Sequence, residues 1–131
     1  MIALDTNVLV RFLVEDDKAQ TAAAVALVKR AVAADEGLFV TDIVLCEVVW
    51  VLRYSYEVPR LEIVHALEQL VHARHLAFAT PDVLARALAA FSSGKGDFAD
   101  YLIREHAIAA GCDAVATFDR ALLRERGFVK P

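Results

Sequence analysis

The chain has 131 residues, of which 58% are apolar, and a net charge of −4 at pH 7. This length is enough for one domain with a buried core, and the acidic balance argues against a protein that coats nucleic acid through bulk electrostatics. No apolar run reaches the roughly 18 uncharged residues that a membrane span needs, and no signal-peptide pattern is present, so we expect a cytoplasmic protein without a membrane anchor.

Short apolar runs alternate with longer segments of helical periodicity. In chain order the pattern predicts a strand at 2–4, helices at 8–14 and 20–34, a strand at 38–40, helices from Asp42 to about Tyr56 and from Pro59 onward, a strand at 75–80, helices from Pro81 to about Phe91 and from Asp97 to Gly111, a strand at 114–117, a short helix at 119–125 and a strand at 128–129. Asp42 is expected to cap its helix. This alternation predicts an α/β fold, a single domain over residues 1–131 with a central parallel sheet of four to five strands flanked by helices.

Lone acidic residues interrupt or end the apolar segments. A carboxylate removed from water costs several kcal/mol unless it is paired, and no segment supplies an obvious cation for each acid. Asp5 and Asp119 follow predicted strands, at the sheet edge where α/β proteins form their functional crevice. Glu47 and Asp100 lie near the starts of helices that can face the same edge. Hard oxygen ligands without a partner are typical of a magnesium or manganese site.

Each acid also has a purely structural interpretation. Asp100 can complete a capping box with Asp97, or pair with Arg104 at the i,i+4 spacing. The remaining acids can serve as helix caps at Asp5 and Asp119, or as an exposed charge on an amphipathic helix at Glu47. Their joint placement favours a site, because independent caps need not all fall at one edge of a sheet.

Several other residues have ordinary interpretations. Cys46 and Cys112 lie within apolar segments and are predicted to be reduced core thiols. Trp50 is predicted to lie in the core rather than to stack on a base. Arg11 and Lys95 lie near the acids in the sequence, and either phosphate contact or simple solvation fits them.

Four short motifs occur in order along nearly the whole chain: Asp5-Thr6-Asn7 after the first strand, Thr41 followed by Glu47 on a helix, Asp97-Phe98-Ala99-Asp100-Tyr101-Leu102-Ile103, and Thr117-Phe118-Asp119. Together they resemble the PIN-domain ribonucleases and, within them, the VapC-like toxins of bacterial toxin–antitoxin pairs. One departure is Arg104, where the family often carries a small residue.

The resemblance implies a metal-dependent endoribonuclease. Its metal ligands and catalytic acids for one or two Mg²⁺ or Mn²⁺ ions would be Asp5, Glu47, Asp100 and Asp119, with Asp97 as the alternative third acid. Residues that orient ligands or water would be Thr6, Asn7 and Thr117. Such a metal activates water and stabilises the leaving oxygen of a phosphodiester.

The resemblance also implies partners: an RNA substrate and a cognate antitoxin protein. The high apolar fraction independently suggests that part of the surface is covered by another protein, and we expect a homodimer.

Three alternatives can be weighed against the sequence. A phosphatase with an aspartyl nucleophile would need a second acid where Asn7 stands. A receiver-type signalling domain would need a phosphoacceptor aspartate at the end of a central strand, where Thr80 and Pro81 stand. A non-catalytic PIN scaffold that binds a protein partner remains open, and Mn²⁺ binding at the acids distinguishes a nuclease from it.

Overall fold

Five short strands and six α-helices alternate in the computed structural model, which describes residues 1–131. The elements are β1 Ile2–Ala3, α1 Thr6–Leu13, α2 Lys18–Ala33, β2 Leu38–Val40, α3 Asp42–Tyr54, α4 Arg60–Val71, β3 Leu76–Phe78, α5 Pro81–Ser93, α6 Phe98–Ala109, β4 Val115–Ala116, a 3₁₀ turn Leu122–Arg124 and β5 Phe128–Val129. The chain divides into two compact parts, here called unit 1 (Met1–Ala79) and unit 2 (Thr80–Pro131).

Unit 1 contains a three-stranded parallel sheet in the order β1-β2-β3. Leu38 of β2 lies in register with Ile2 on one side and with Leu76 on the other. Leu38 and Val40 are buried, as expected for the central strand of a parallel sheet. The Leu4 amide donates to the Phe39 carbonyl at 2.8 Å, so the pairing of β1 with β2 continues up to the residue before Asp5.

Unit 2 contains α5 and α6 and a two-stranded parallel sheet of β4 and β5. Phe91 near the end of α5 and Phe98 at the start of α6 are both fully buried, and their rings meet edge to face with centroids 5.8 Å apart. This arrangement suits the quadrupoles of two aromatic rings. Tyr101, one turn further along α6, is also fully buried.

The predicted α/β class with parallel strands and flanking helices is confirmed, as is the order of the elements. The predicted single sheet of four to five strands is wrong in detail, because the five strands form one sheet of three and one of two. Apolar runs identify strands, but the partner of each strand depends on long-range pairing that the runs do not encode. None of the helices is both long enough and apolar enough to cross a bilayer.

Two local predictions are corrected. Thr41, not Asp42, caps α3: its hydroxyl accepts a hydrogen bond from the Val44 amide at 3.2 Å, and Asp42 is the first helical residue. Asp42 still favours the helix, because a negative charge in the first turn interacts well with the helix dipole. Cys112 is exposed rather than buried, since it follows Gly111 in the turn after α6, whereas Cys46 is partly buried; both thiols are free.

A buried ion pair lies on α6, where Arg104 is 5% exposed and Glu105 is 3% exposed. Arg104 Nε lies 2.9 Å from Glu105 Oε2, and Arg104 Nη1 donates to the Arg126 carbonyl at 3.0 Å. Arg86 Nε lies 3.1 Å from the second carboxylate oxygen of Glu105. Arg104 therefore does not pair with Asp100, and the i,i+4 alternative for that acid is wrong.

The ion pair predicts a large difference between two alanine substitutions. Glu105→Ala leaves the buried Arg104 guanidinium without its counter-charge, which costs roughly 3–5 kcal/mol of unfolding free energy. Arg86→Ala removes a partner whose side chain is 53% exposed, and such a surface pair contributes at most about 1 kcal/mol. Urea denaturation of both variants measures the two losses; equal losses would show that the Arg104–Glu105 pair is not the stabilising contact.

Candidate functional site

Asp5 lies at the junction between β1 and α1. Its backbone is extended, and its Oδ1 atom accepts a hydrogen bond from the Val8 amide at 3.0 Å, so it is the N-cap of α1. Asp5 is exposed, and its second carboxylate oxygen forms no hydrogen bond. The residue thus caps the helix and still presents one oxygen to solvent.

The Thr6 side chain connects the first motif to the second acid. Its Oγ1 atom donates a hydrogen bond to Glu47 Oε2 at 2.5 Å, although the two residues are 41 positions apart. Thr6 begins α1 and Glu47 lies on the exposed face of α3, so the packing of α1 on α3 brings them together. Asp5 and Glu47 are here called the unit 1 acids, and Thr6 is the residue that connects them. Asn7 is exposed beside them.

Asp97 and Asp100 open α6 in unit 2. They form a capping box, in which the side chain of each accepts a hydrogen bond from the backbone of the other; the bond from the Asp97 amide to Asp100 Oδ2 is 2.8 Å long. Both are therefore fixed relative to the first turn of the helix. The predicted cap at Asp97 is confirmed.

The Asp100 carboxyl lies in a negative environment. Burial raises its pKa above the usual range of an aspartate. The hydrogen bond from the Asp97 backbone opposes this effect, but the charges of Asp97, Asp119 and Glu125 add to it. A positively charged ligand would reduce the electrostatic repulsion among these carboxylates. Asp97, Asp100 and Asp119 are here called the unit 2 acids.

Thr117 and Asp119 form a turn after β4. The Thr117 hydroxyl oxygen accepts a hydrogen bond from the Asp119 amide at 3.1 Å. Asp119 Oδ1 accepts from the amides of Ala121 at 2.8 Å and Leu122 at 3.3 Å. Asp119 thus stabilises the bend that leads into the 3₁₀ turn, whose N-cap is Ala121, and Thr117 orients the Asp119 backbone.

Glu125 makes a structural contact near the unit 2 acids that the sequence pattern did not reveal. Both of its carboxylate oxygens accept from the Tyr101 hydroxyl, at 2.8 and 2.7 Å, and its Oε2 atom accepts from the Lys95 amide at 3.3 Å. The Gly96 amide donates to the same hydroxyl at 2.9 Å. A Cβ atom at Gly94 would lie 1.8 Å from that hydroxyl, so the two glycines before Asp97 were the available signal of a close approach.

The predicted site residues therefore fall into one set in each unit. Their donors are carboxylate and hydroxyl oxygens, the class that Mg²⁺ and Mn²⁺ prefer, and the raised pKa of Asp100 fits residues that would favour a cation nearby. No group of three or more His, Cys, Asp or Glu side chains is arranged to hold a metal ion. The assembly of all four acids around a metal stays a prediction.

Arg11 takes part in a network within unit 1. Its Nε donates to Gln20 Oε1 at 2.6 Å, and its Nη1 donates to Asp16 Oδ1 and to the Tyr56 hydroxyl, both at 3.1 Å. The Tyr56 hydroxyl in turn donates to Asp16 Oδ2 at 2.6 Å. This hydrogen bond, together with the Arg11 charge, lowers the pKa of Asp16. Arg11 thus ties α1 to α2 and to the segment after α3.

Trp50 is 59% exposed, so the prediction that it lies in the core is wrong. Helix α3 has one buried face, which includes Leu45, Val48 and Leu52. Trp50 does not lie on this face. Its ring lies 5.5 Å from the ring of Tyr54, one turn later on the same exposed face. The pair forms an exposed aromatic patch on the helix that carries Glu47.

Because the pKa of Asp100 is raised, we expect the substitution Asp100→Asn to stabilise the folded protein, and we expect the size of this gain to depend on pH. A carboxyl whose pKa is raised by folding destabilises the folded state at pH values above its unfolded pKa of about 3.9, and has no effect well below it. Asp100→Asn keeps an oxygen acceptor for the Asp97 amide and removes the charge. In the absence of divalent metal, its melting temperature should exceed that of the original protein at pH 7 and equal it at pH 3.

Asp82 provides the control, because it is also an acid in the first turn of a helix. Asp82→Asn removes a negative charge that interacts favourably with the dipole at the N-terminus of α5. The melting temperature of this variant at pH 7 should therefore be unchanged or slightly lower. A lower melting temperature for Asp100→Asn at pH 7 would show that the carboxylate is stabilising.

Comparison with known proteins identifies the family. No curated protein sequence matches the chain. The family profile described as PIN domain matches residues 2–128, which include every candidate acid described above. The chain therefore belongs to the PIN domain family.

Proposed function

We propose that this protein is an endoribonuclease that hydrolyses RNA phosphodiester bonds with the help of Mg²⁺ or Mn²⁺, and that it acts as the toxin of a toxin–antitoxin pair. Membership of the PIN domain family supports a nuclease fold at the coarse level. The observation that carries the proposal is the hydrogen bond from Thr6 to Glu47, because it joins the first two acidic motifs across 41 positions. The bond joins the partly buried Thr6 at the start of α1 to the exposed Glu47 of α3.

The residues have distinct roles in this proposal. Asp5, Glu47, Asp100 and Asp119 would hold the metal, which would supply an activated water and stabilise the leaving oxygen. The Val8 amide fixes one oxygen of Asp5 and leaves the other available.

The remaining residues position these acids. Thr6 holds the Glu47 carboxylate through its hydroxyl. The Asp97 amide fixes one oxygen of Asp100. Thr117 orients the backbone of Asp119. Such outer contacts commonly change metal affinity or activity by about 10- to 100-fold when removed.

A second candidate function is a non-catalytic scaffold that binds a protein partner. The observation that favours it is that Asp5 and Asp97 cap helices and Asp119 accepts backbone hydrogen bonds in its turn, which would account for these acids without catalysis. Calorimetric titration with Mn²⁺ separates the two: the nuclease should bind Mn²⁺ and lose binding in Asp5→Asn, whereas the scaffold need not bind it.

We extend the proposal to the partners and the location. The resemblance to VapC-like toxins supports a cognate antitoxin and a homodimer in the cytoplasm. Exposed apolar side chains such as Ile43, Trp50 and Leu61 offer surface for such contacts. Light scattering measures the oligomeric state, and a cleavage assay with and without the co-encoded small protein measures inhibition. A monomer whose activity the small protein leaves unchanged contradicts the proposal.

Metal dependence gives the main test of the nuclease. EDTA should abolish RNA cleavage, and Mg²⁺ or Mn²⁺ should restore it. Asp5→Asn should reduce cleavage at least about 100-fold, because an amide is a poor substitute for an anionic ligand. Its stability should be nearly unchanged, because asparagine caps a helix as well as aspartate does.

Asp17 supplies a matched control. It caps α2 through the same type of hydrogen bond, since its Oδ1 atom accepts from the Gln20 amide at 3.0 Å, and it belongs to neither acid set. Asp17→Asn should therefore keep both stability and cleavage. Full cleavage in EDTA would overturn the metal mechanism, and a large loss of stability in Asp5→Asn would make Asp5 a structural residue.

A second pair of variants assigns the third acid. Asp97→Asn should keep stability and most of the cleavage rate, because asparagine retains the capping oxygen. Asp100→Asn should remain folded and lose cleavage, because it removes the anionic ligand. Single-turnover rates and melting temperatures of the two variants decide between them; an inactive Asp97→Asn beside an active Asp100→Asn reverses the assignment.

A further inference from the structure

We propose that the cleft between α1 and α2 in unit 1 binds the RNA strand next to the bond that is cut, and that Arg30 contacts a phosphate there. This inference rests on the nuclease function proposed above and adds a substrate-binding residue to it. Arg30 belongs to none of the acidic motifs.

The cleft begins at a candidate metal ligand. It has a volume of about 410 Å³, and Asp5 and Asn7 line it together with Gln20 and Arg30. This volume lies within the usual range of roughly 300–1,000 Å³ for pockets that hold small molecules, so the space accommodates a unit of nucleotide size. A strand held at Asp5 would therefore continue directly into the cleft.

The α2 face of the cleft is shaped by its sequence. The lining residues Gln20, Ala23, Leu27 and Arg30 recur at helical spacing on one side of α2. The alanine side chain is short and leaves room above the helix, whereas Leu27 gives an apolar surface suited to a sugar or a base. Gln20 and Arg30 are ten residues apart, which places them about 15 Å apart along the helix axis.

Arg30 is the cation of the cleft that is available to a ligand. Its side chain is exposed and forms no hydrogen bond or salt bridge within the protein. Arg11, the other arginine that lines the cleft, is occupied by Gln20, Asp16 and Tyr56. A free guanidinium presents a planar set of donors that matches a phosphate group.

Charge favours RNA over an apolar peptide as the occupant. The protein has a net charge of −4, so it cannot gather a polyanion through its overall field and must use local cations. Arg30 supplies such a cation within the cleft, and its contact with a phosphate needs no bound metal. An apolar peptide would leave Arg30 and Asn7 without an obvious role.

The test compares Arg30→Ala with Lys29→Ala. Lys29 is the adjacent exposed cation on α2 and does not line the cleft, so both variants lose one charge, but only one loses a cleft residue. Alanine favours a helix, so both variants should fold, which melting temperatures verify. Binding of a fluorescent single-stranded RNA oligonucleotide is measured by anisotropy in EDTA, so that no metal-dependent cleavage intervenes.

Arg30→Ala should weaken RNA binding about tenfold, because a charge-assisted contact is lost. The slope of log affinity against log salt should fall in magnitude by about 0.7, the value for one phosphate contact on a single strand. Arg30→Lys should recover part of the loss, and Lys29→Ala should stay within about twofold of the original protein. In cleavage assays Arg30→Ala should raise KM and leave kcat nearly unchanged.

Equal affinities of Arg30→Ala and Lys29→Ala for RNA would overturn the inference. A cleft that binds a protein partner instead of RNA would give this result. If the original protein cleaves RNA in that case, the proposed function stands and only the subsite is wrong. If the original protein neither binds nor cleaves RNA, the proposed function itself fails and the subsite fails with it.

Discussion

The buried hydroxyl of Tyr101 is the contact on which the arrangement of unit 2 depends. It accepts a hydrogen bond from the Gly96 amide and donates to the Glu125 carboxylate, so one atom joins the segment before α6 to the segment after the 3₁₀ turn. The same hydroxyl lies so close to Gly94 that no side chain fits there. Since this segment leads directly into Asp97, the Tyr101 hydroxyl helps to hold the start of α6 and its capping box in place.

A carboxylate has two oxygens, and in this protein the two oxygens of one acid can have different roles. One oxygen of Asp5 satisfies a backbone amide of α1, and the other has no partner in the protein. Asp100 likewise accepts from the Asp97 amide through Oδ2. The structural and functional interpretations of these residues are therefore compatible. A cap fixes the direction of the carboxylate, and a fixed carboxylate loses less conformational entropy when it binds a cation.

What the sequence could predict was local. Strand and helix positions, and the caps at Asp5 and Asp97, follow from short-range periodicity and from the backbone donors at helix ends. What it missed depends on distant pairing: the division of the strands into two sheets, the exposure of Trp50, and the contact of Glu125 with Tyr101. The choice of Thr41 over Asp42 as a cap shows that adjacent polar residues compete, and that the backbone conformation of each residue decides the outcome.

The close approach of Arg104 to Gly127 couples the substitutions that this protein can accept at the two positions. A Cβ atom at Gly127 would lie 2.7 Å from Arg104 Cδ, and the glycine also has a φ of +89°. A side chain at position 127 would therefore crowd Arg104 and would also strain the backbone, because residues other than glycine rarely adopt this φ. Replacing Arg104 by a smaller residue would relieve the crowding, but it would leave the buried Glu105 carboxylate with the exposed Arg86 as its remaining cationic partner. Positions 104, 105 and 127 thus form a linked group, in which a change at one alters which changes natural selection can accept at the others.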